Sequence, residues 1–361
     1  MEQIDDIFTM LDQLDRPAFF VLDGQIVRLN EAADRLMIPC DARIAPMLYT
    51  GKEEYAVFQG GCLHLMLQCA GENRGASVTR VGKYDMFTLD QADDNAQLQA
   101  MSLAAQELRQ PLANIMTVAD RLFPISGYDP DPALQEQISR INRGLFQMLR
   151  IVGNMSDAYR YSQQTETKMA VTNVTSLLEE IFEQSTQLLQ HGGTELCFTN
   201  LNQAVFSLAD GEKLERAIHN IISNAVKFAP KGSRIDARLS RRNNMLYLTV
   251  QDSGNGIAQE LRSNVHSRFR RQPGLEDTRF GIGLGMVMIR SAASAHGGTV
   301  LIDHPDGCGT RLTMSMAIRQ DTDSVVRAST LQVDYAGERD HVLMELSDAL
   351  PAKLYHKDQI N

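Results

Sequence analysis

The chain lacks both an excess of positive charge and any long hydrophobic run. Its 361 residues include 35 lysines and arginines against 45 aspartates and glutamates, a net charge of −10 at pH 7. General affinity for nucleic acid needs basic surface to neutralise phosphates, so we expect no nucleic-acid partner. The densest apolar segments, AFFVL and MLYLTV, are far shorter than the ~20 apolar residues of a membrane-spanning helix. We therefore expect no membrane insertion.

Cysteine is scarce as well. The five cysteines are odd in number and form no CxxC pair, which favours reduced thiols and argues against a metal cluster or a disulfide framework. The first residues, MEQIDDIFTM, are acidic and lack the basic start and apolar stretch of a signal peptide. A cytoplasmic location is expected.

The pattern of the sequence divides the chain into four segments. Residues 1–92 mix short helices with strands, namely the two short strands of AFFVLDGQIVRLN around the turn at Asp23-Gly24, then CLHLMLQC and DMFTLD. Residues 93–166 are helical, and residues 167–318 alternate helices and strands. Residues 319–361 form a C-terminal tail for which we expect a short strand, TLQVDYAG, and a helix.

The helical segment carries two stretches of heptad repeats separated by the turn FPISGYDPDPA. One helical hairpin buries too little apolar surface by itself, whereas two hairpins make a four-helix bundle, so we predict a homodimer. The predicted apolar seam comprises Leu98, Met101, Ala105, Leu108, Leu112, Ile115, Ala119 and Leu122 in the first helix, and Ile138, Ile141, Leu145, Met148, Val152, Met155 and Tyr159 in the second.

Two motifs in the third segment suggest a nucleotide site. In LERAIHNIISNAVKF, steps of four and three place Asn220, Asn224 and Lys227 on one face of a helix. Asparagine carbonyls suit Mg²⁺ that shares its shell with phosphates, although the same stripe also fits a solvated helix face. In VQDSGNGIAQ, Asp252 follows a strand, where its carboxylate can accept the amino group of a purine, and the following glycines let backbone approach a ring.

A third motif, RFGIGLGMVMIRSAASAHGG, opens an apolar helix with closely spaced glycines. Backbone N–H groups at such a helix start can hold phosphate. A dinucleotide-binding fold requires G-x-G-x-x-G after the first strand of a βαβ unit, and these glycines come late with another spacing, which disfavours that fold.

These three motifs, followed by GCGT, together resemble the ATP-binding domain of sensor histidine kinases and of the related GHKL ATPases. The hairpin resembles the dimerisation and histidine-phosphotransfer domain of the same kinases. The first segment resembles a PAS sensor domain, chiefly through RPAFFVLDGQIVRLNEAADRL. The implied fold class is α+β multidomain, with a small PAS-like α/β sensor, an antiparallel helical hairpin that forms a dimeric four-helix bundle, and an α/β-sandwich GHKL (Bergerat) ATP-binding domain.

The resemblance implies ATP and Mg²⁺ as cofactors. It makes Asn224 the magnesium ligand, assisted by Asn220, and brings Lys227 to phosphate. Phe228 would pack against adenine and Asp252 would bind its amino group. The other implied ATP-binding residues are Gly254 and Gly256 at the pocket wall, Thr310 near the base, Gly281, Gly283 and Gly285 along the phosphates, and Arg271 and Arg279 in a short lid.

One residue breaks the family pattern. The first bundle helix of these kinases carries His-Glu-x-x-Thr/Asn-Pro, whereas this chain has Gln106 at the acceptor position, followed by Glu107 and, at the Thr/Asn position, Gln110. A glutamine amide has no nucleophilic nitrogen lone pair, so Glu107 has nothing to activate. Since Ala105 and Leu108 are expected in the seam, Gln106 should face outward. We predict that autophosphorylation does not occur at this position.

Several functions remain compatible with this change. The chain can be a degenerate kinase that binds ATP and regulates the receiver domain of a response regulator, or a phosphatase in which Gln110 aligns a hydrolytic water. An engineered, acceptor-less variant of an active kinase and a non-catalytic ATP- or ligand-sensing module are further alternatives, and the bundle could also be only a dimerisation stalk. A stand-alone GHKL ATPase is disfavoured by the heptad hairpin.

Overall fold

The computed structural model describes residues 8–69, 71–91, 93–122, 132–162, 168–200, 203–230, 232–254, 256, 283–305, 309–319 and 340–355. Within these ranges, no helix is long and apolar enough to cross a bilayer.

The first segment folds as a five-stranded antiparallel sheet with short helices packed against it. Asn30 caps one of these helices through its side chain, which accepts from the Ala33 N–H at 3.0 Å. Aromatic and aliphatic side chains fill both faces of the sheet, including the stacked pair Phe19 and Phe87. The elements are β1 (Ala18–Leu22), β2 (Gln25–Leu29), α1 (Glu31–Asp34), α2 (Lys52–Ala56), β3 (Cys62–Cys69), β4 (Glu72–Val81) and β5 (Tyr84–Leu89).

The sequence predicted β1, β2, β3 and β5 but not β4. The first residues of β4, ENRG, are polar or glycine and so lack the apolar alternation of a typical strand. The strand is held in the sheet by pairing with β3 over residues 72–79 and with β5 over residues 76–81. Tertiary pairing therefore outweighs local propensity here.

The second segment is a hairpin of two long helices, α3 (Asp93–Leu122) and α4 (Pro132–Ser162). Most of the predicted seam is buried. Leu98, Ala105, Leu112 and Ala119 of α3 are buried as predicted, together with Met116, which the heptad assignment missed. The predicted α4 positions Ile138, Leu145, Val152 and Met155 are buried as well. Five other seam positions are exposed in the single chain and form a second stripe, which consists of Leu108, Ile115, Leu122, Ile141 and Met148.

The third segment packs three helices against a mixed sheet, as expected of an α/β sandwich. Strands β7 and β9 pair in parallel, and the other pairs of this part of the sheet are antiparallel. The elements are β6 (Ala170–Asn173), α5 (Val174–Gly192), β7 (Glu195–Asn200), β8 (Phe206–Ala209), α6 (Gly211–Phe228), β9 (Arg234–Arg242), β10 (Met245–Gln251), α7 (Gly285–Ala295), β11 (Val300–Asp303) and β12 (Arg311–Ala317). The short strands β6 and β8 pair only with each other and were not predicted.

The sheets of the first and third segments are continuous. Strand β3 pairs antiparallel with β11, with Leu63 opposite Leu301, and the strand order is β2-β1-β5-β4-β3-β11-β12-β10-β9-β7. Side-chain contacts reinforce the junction, since Glu54 accepts from Tyr247 at 3.3 Å and Arg290 lies 3.6 Å from Asp90. The sensor-like segment is thus built into the edge of the third segment.

The C-terminal residues 340–355 also pack into this core. A short helix, α8 (His341–Glu345), and a 3₁₀ turn (Ala352–Tyr355) lie against α4 and α6. Tyr355 is buried edge-to-face against Phe146, with 5.4 Å between the ring centroids, and Arg143 donates to the Ser347 carbonyl. The tail helix expected from the sequence is therefore present but short, and the expected strand TLQVDYAG lies outside the described residues.

Candidate functional site

Helix α6 positions the first group of predicted site residues. The helix begins after Asp210, whose side chain accepts from the Lys213 N–H. Asn224 is partly buried, whereas Asn220 is buried and donates to the Arg216 carbonyl at 2.8 Å. The side-chain oxygen of Asn220 accepts from Arg150 at 3.2 Å. Of the two asparagines, Asn224 is thus better placed to reach a ligand.

Asp252 lies just past the end of β10, as predicted. One carboxylate oxygen accepts from the backbone N–H groups of Gly254, at 2.7 Å, and Thr310, at 3.1 Å. Burial raises the pKa of Asp252, and these two N–H groups act in the opposite direction. The loop after β10 and the start of β12 are thereby held together around a single buried carboxylate.

Glycines permit the close approaches that build this region. A Cβ atom at Gly254 would collide with the carbonyl oxygen of Phe228, at the end of α6. A Cβ atom at Gly285 would lie 2.9 Å from the side-chain oxygen of Asn220. Gly256 and Gly283 have positive φ values of 70° and 80°, which favour glycine. All three predicted motifs therefore meet around α6.

The side chain of Lys227 is held by the C-terminal segment. Its Nζ atom lies 2.9 Å from a carboxylate oxygen of Asp348, which also pairs with Arg150. Burial lowers the pKa of Lys227, and the nearby Arg150 guanidinium lowers it further, whereas Asp348 opposes the shift. The cation predicted to meet phosphate is therefore already neutralised within the chain.

A buried ionic network extends from this contact. Glu345 is fully buried and pairs with Arg216 at 2.6 Å, and Arg216 also pairs with Asp157 of α4. Sequence reasoning missed Arg150, Glu345 and Asp348 as neighbours of the site. Arg150 stands within the apolar pattern of α4, and the acidic residues lie in a tail more than 100 positions further along the chain, so no local signal connects them.

The residues of the predicted acceptor region lie on α3. Gln106, Glu107 and Gln110 are exposed, which confirms the outward orientation expected for Gln106. Leu108, the other residue used to orient Gln106, is half exposed in the single chain and belongs to the second stripe. The Gln110 amide donates to the side chain of Asn114 at 3.2 Å.

Of the remaining residues predicted to bind ATP, two lie within the described part of the chain and three do not. Phe228 is half exposed beside the loop that follows β10, and Thr310 is partly buried next to Asp252. The predicted phosphate contacts Arg271, Arg279 and Gly281 lie outside the described residues.

The amino-acid sequence is similar to a known ATPase family and to known histidine kinases. Residues 209–320 match the family model described as histidine kinase-, DNA gyrase B-, and HSP90-like ATPase. The chain is 24% identical over 231 residues to histidine kinase P4 of Formosa agariphila, an alignment that covers 62% of this chain and 17% of that protein. It is 25% identical over 283 residues to the signal transduction histidine-protein kinase/phosphatase MprB of Mycolicibacterium smegmatis, covering 76% of this chain and 51% of that one. Residues 209–320 thus carry the ATPase domain that this family model describes, and the similar proteins are histidine kinases.

A solved structure supports the fold. Full-length ShkA in complex with AMPPNP superposes with a TM-score of 0.50 at 19% identity, over 63% of this chain and 47% of that one. The predicted α+β fold class with a GHKL-type domain is thus confirmed. The chain spans only about half of MprB and a sixth of histidine kinase P4, so it matches parts of these kinases rather than their whole length.

Proposed function

We propose that this histidine kinase family member binds Mg-ATP and regulates the receiver domain of a response regulator without phosphorylating itself at position 106. Two observations together support the proposal. The three predicted motifs, with Asn224, Asp252 and Gly285, meet around α6, and the predicted acceptor position holds an exposed glutamine, Gln106. The ATP-analogue complex of ShkA supports nucleotide binding by this fold. The chain would then signal through its conformation.

Asn224 is the residue we assign to Mg²⁺. It lies one helical turn beyond Asn220 on α6 and is partly exposed, so its amide oxygen can reach an ion bound to nucleotide phosphates. Asn220 supports the site by bonding to Arg150 and Arg216 instead. Asp252 is the proposed reader of the adenine amino group.

The exposed stripe on the hairpin supports a homodimer. Leu108, Ile115 and Leu122 recur at steps of seven along α3, and Ile141 and Met148 do so along α4. Apolar side chains in such register are typical of a helical bundle interface. Ile115→Glu should convert the dimer to a monomer in sedimentation experiments, whereas Ala113→Glu, on the opposite side of α3, should leave it dimeric.

Nucleotide binding is tested by calorimetric titration with ATP in the presence of Mg²⁺. The wild type should bind ATP, and Asn224→Ala should weaken binding about tenfold or more, as expected for loss of a metal ligand worth over ~1.4 kcal/mol. Gln137→Ala, an exposed amide on α4, is the matched control and should leave the affinity unchanged. Absence of binding by folded wild-type protein would reject the proposal.

The acceptor position is tested with γ-labelled ATP. The wild type should remain unlabelled and Gln106→His should become labelled, because an imidazole supplies the missing nucleophile. Labelling of the wild type would show that another residue accepts phosphate. If Gln106→His also stays unlabelled although ATP binds, the ATP region serves only as a conformational sensor.

A phosphatase is the second candidate, favoured by the exposure of Gln110 one turn beyond Gln106. An amide there can position a water for attack on an aspartyl phosphate without any histidine. The test follows the decay of receiver domains that have been phosphorylated with acetyl phosphate. Accelerated decay that is lost in Gln110→Ala and kept in Gln137→Ala would support this activity.

A further inference from the structure

Helix α6 and the short helix α8, which are distant in sequence, bring two histidines and a glutamate together. Glu215 and His219 lie four residues apart on α6 and so share a face of the helix. His341 is the first residue of α8 in the C-terminal segment. One possible ligand atom from each residue lies within 4.8 Å of the other two.

His219 is the unusual member of this cluster. It is completely buried, and neither of its ring nitrogens has a hydrogen-bond partner among the described residues. The Nδ1 atom of His341 also lacks one there. Buried polar atoms are normally satisfied because leaving them unpaired costs free energy. A ligand that accepts nitrogen lone pairs would remove that cost.

The chemistry of the three side chains selects the ligand. Imidazole nitrogens and a carboxylate oxygen suit Zn²⁺, whereas Mg²⁺ and Ca²⁺ prefer oxygen donors alone. The two histidine rings meet edge-on, with 6.0 Å between their centroids. Zinc bonds to such ligands are about 2.0–2.2 Å long, so small side-chain rotations bring all three atoms to one ion.

We propose that Glu215, His219 and His341 bind a zinc ion that fastens the C-terminal segment, residues 340–355, to the helix carrying Asn220 and Asn224. A water would complete the tetrahedral shell. The same C-terminal segment supplies Asp348 to Lys227, so zinc would also strengthen the contact that neutralises this lysine.

The competing interpretation is a plain ion pair. His341 and Glu215 lie 3.2 Å apart, and although burial lowers the pKa of His341, the contact with Glu215 raises it above the usual value overall. In that interpretation His219 is merely a packed neutral ring, since burial lowers its pKa to about 4. The two interpretations differ in whether the purified chain takes up zinc.

The test uses tag-free, full-length protein without nucleotide, stripped of metal and titrated with Zn²⁺ in a calorimeter. One equivalent should bind, and His341→Ala should weaken binding about a hundredfold or more, since loss of a direct ligand should exceed the 10–100-fold typical of outer-shell partners. His191→Ala, which changes an exposed histidine at the end of α5, should bind like the wild type. Amide exchange of residues 340–355 should slow on zinc addition in the wild type only.

Folding is checked by circular dichroism. If His341→Ala is unfolded, Glu215→Gln replaces it, because glutamine keeps the size and hydrogen-bonding capacity of glutamate and loses the charge. Folded wild-type protein that takes up no zinc, or equal affinity of wild type and variant, would overturn the proposal. Since ATP is absent, either result is independent of nucleotide binding.

Discussion

At the scale of single residues, two glycines near α6 have no room for a side chain because atoms of α6 lie directly against them. Gly254 faces the Phe228 carbonyl oxygen, and Gly285 faces the side-chain oxygen of Asn220. These glycines allow the loop after β10 and the start of α7 to pack directly against α6, rather than making a loop flexible. Sequence reasoning assigned Gly254 to the pocket wall and Gly285 to the phosphates, and the structure shows which atoms lie opposite each glycine.

Gly254→Ala should therefore be costly. The added Cβ overlaps a backbone atom that cannot rotate away, and the resulting shift should lower the free energy of unfolding by about 1–3 kcal/mol and weaken ATP binding. Gly144→Ala in α4, where no heavy atom lies within 4 Å of the new Cβ, should instead stabilise the protein by about 0.5–1 kcal/mol. Thermal unfolding measures both, and equal effects would contradict this explanation.

A second single residue makes stability depend on pH. His296 is buried between α7 and the start of α6, where its Nε2 accepts from the Asp210 N–H and its Nδ1 donates to the Ala292 carbonyl. Burial lowers the pKa of His296 to about 4. The ring thus stays neutral in the folded protein at pH values where the unfolded chain, with a pKa of about 6.5, binds a proton.

The free energy of unfolding should consequently fall as the pH drops from about 6.5 to about 4, by up to about 3 kcal/mol from His296 alone. His296→Gln should make the free energy of unfolding depend less steeply on pH. Some dependence should remain, because burial also lowers the pKa of His219. His191→Gln, at an exposed position, should retain the wild-type slope. Denaturant unfolding at several pH values provides the measurement, and an unchanged slope in His296→Gln would disprove the assignment.

At the scale of elements, the C-terminal segment is a structural part of the nucleotide region. Its acidic residues pair with three cations from two helices, Arg150 of α4 and Arg216 and Lys227 of α6. A helix of five residues is too short to be stable alone, and this one is held in place by buried apolar side chains and these ion pairs. Its role could not be read from the sequence because its partners lie far away along the chain.

Asp348→Ala should raise the affinity for ATP. The substitution releases Lys227 from its internal partner, so the lysine can meet phosphate without first breaking an ion pair. The pair is almost fully buried, so it exceeds the ~1 kcal/mol of an exposed pair, and the affinity should rise about fivefold or more. Lys353→Ala, an exposed change in the same segment, should have no effect on titration with Mg-ATP. Weaker binding by Asp348→Ala would show that Asp348 supports the nucleotide site instead.

At the scale of the whole molecule, the continuous sheet connects the first segment directly to the domain that matches the ATPase family model. The junction rests on the β3–β11 ladder and on a tight approach at Gly61, where a Cβ atom would overlap the carbonyl oxygen of Ile302. Gly61 has a φ of 86° and so needs glycine for conformational reasons too. The first segment and β11 are thus joined by backbone contacts.

Gly61→Ala should loosen this junction. Amide exchange at residues 300–302 should become faster because the ladder to β3 is disturbed, while exchange within β9 and β10 should remain slow. Gly60→Ala is a close control, since a Cβ there has no heavy atom within 4 Å. Equal protection of β11 in both variants would indicate that the two sheets do not depend on one another.

The sequence by itself determined the local elements and the chemistry they carry. The apolar periodicity predicts the two helices of the hairpin, and the spacing of Asn220, Asn224 and Lys227 places them on one face of a helix. The lack of an imidazole at position 106 can be read from Gln106 alone. Only the tertiary structure decided which positions of the heptad seam are buried within the hairpin, that β3 joins β11, and that Asp348 reaches Lys227. The physical reason is range: propensity and periodicity act over a few residues, whereas strand pairing and buried ion pairs depend on which distant segments the whole fold brings into contact.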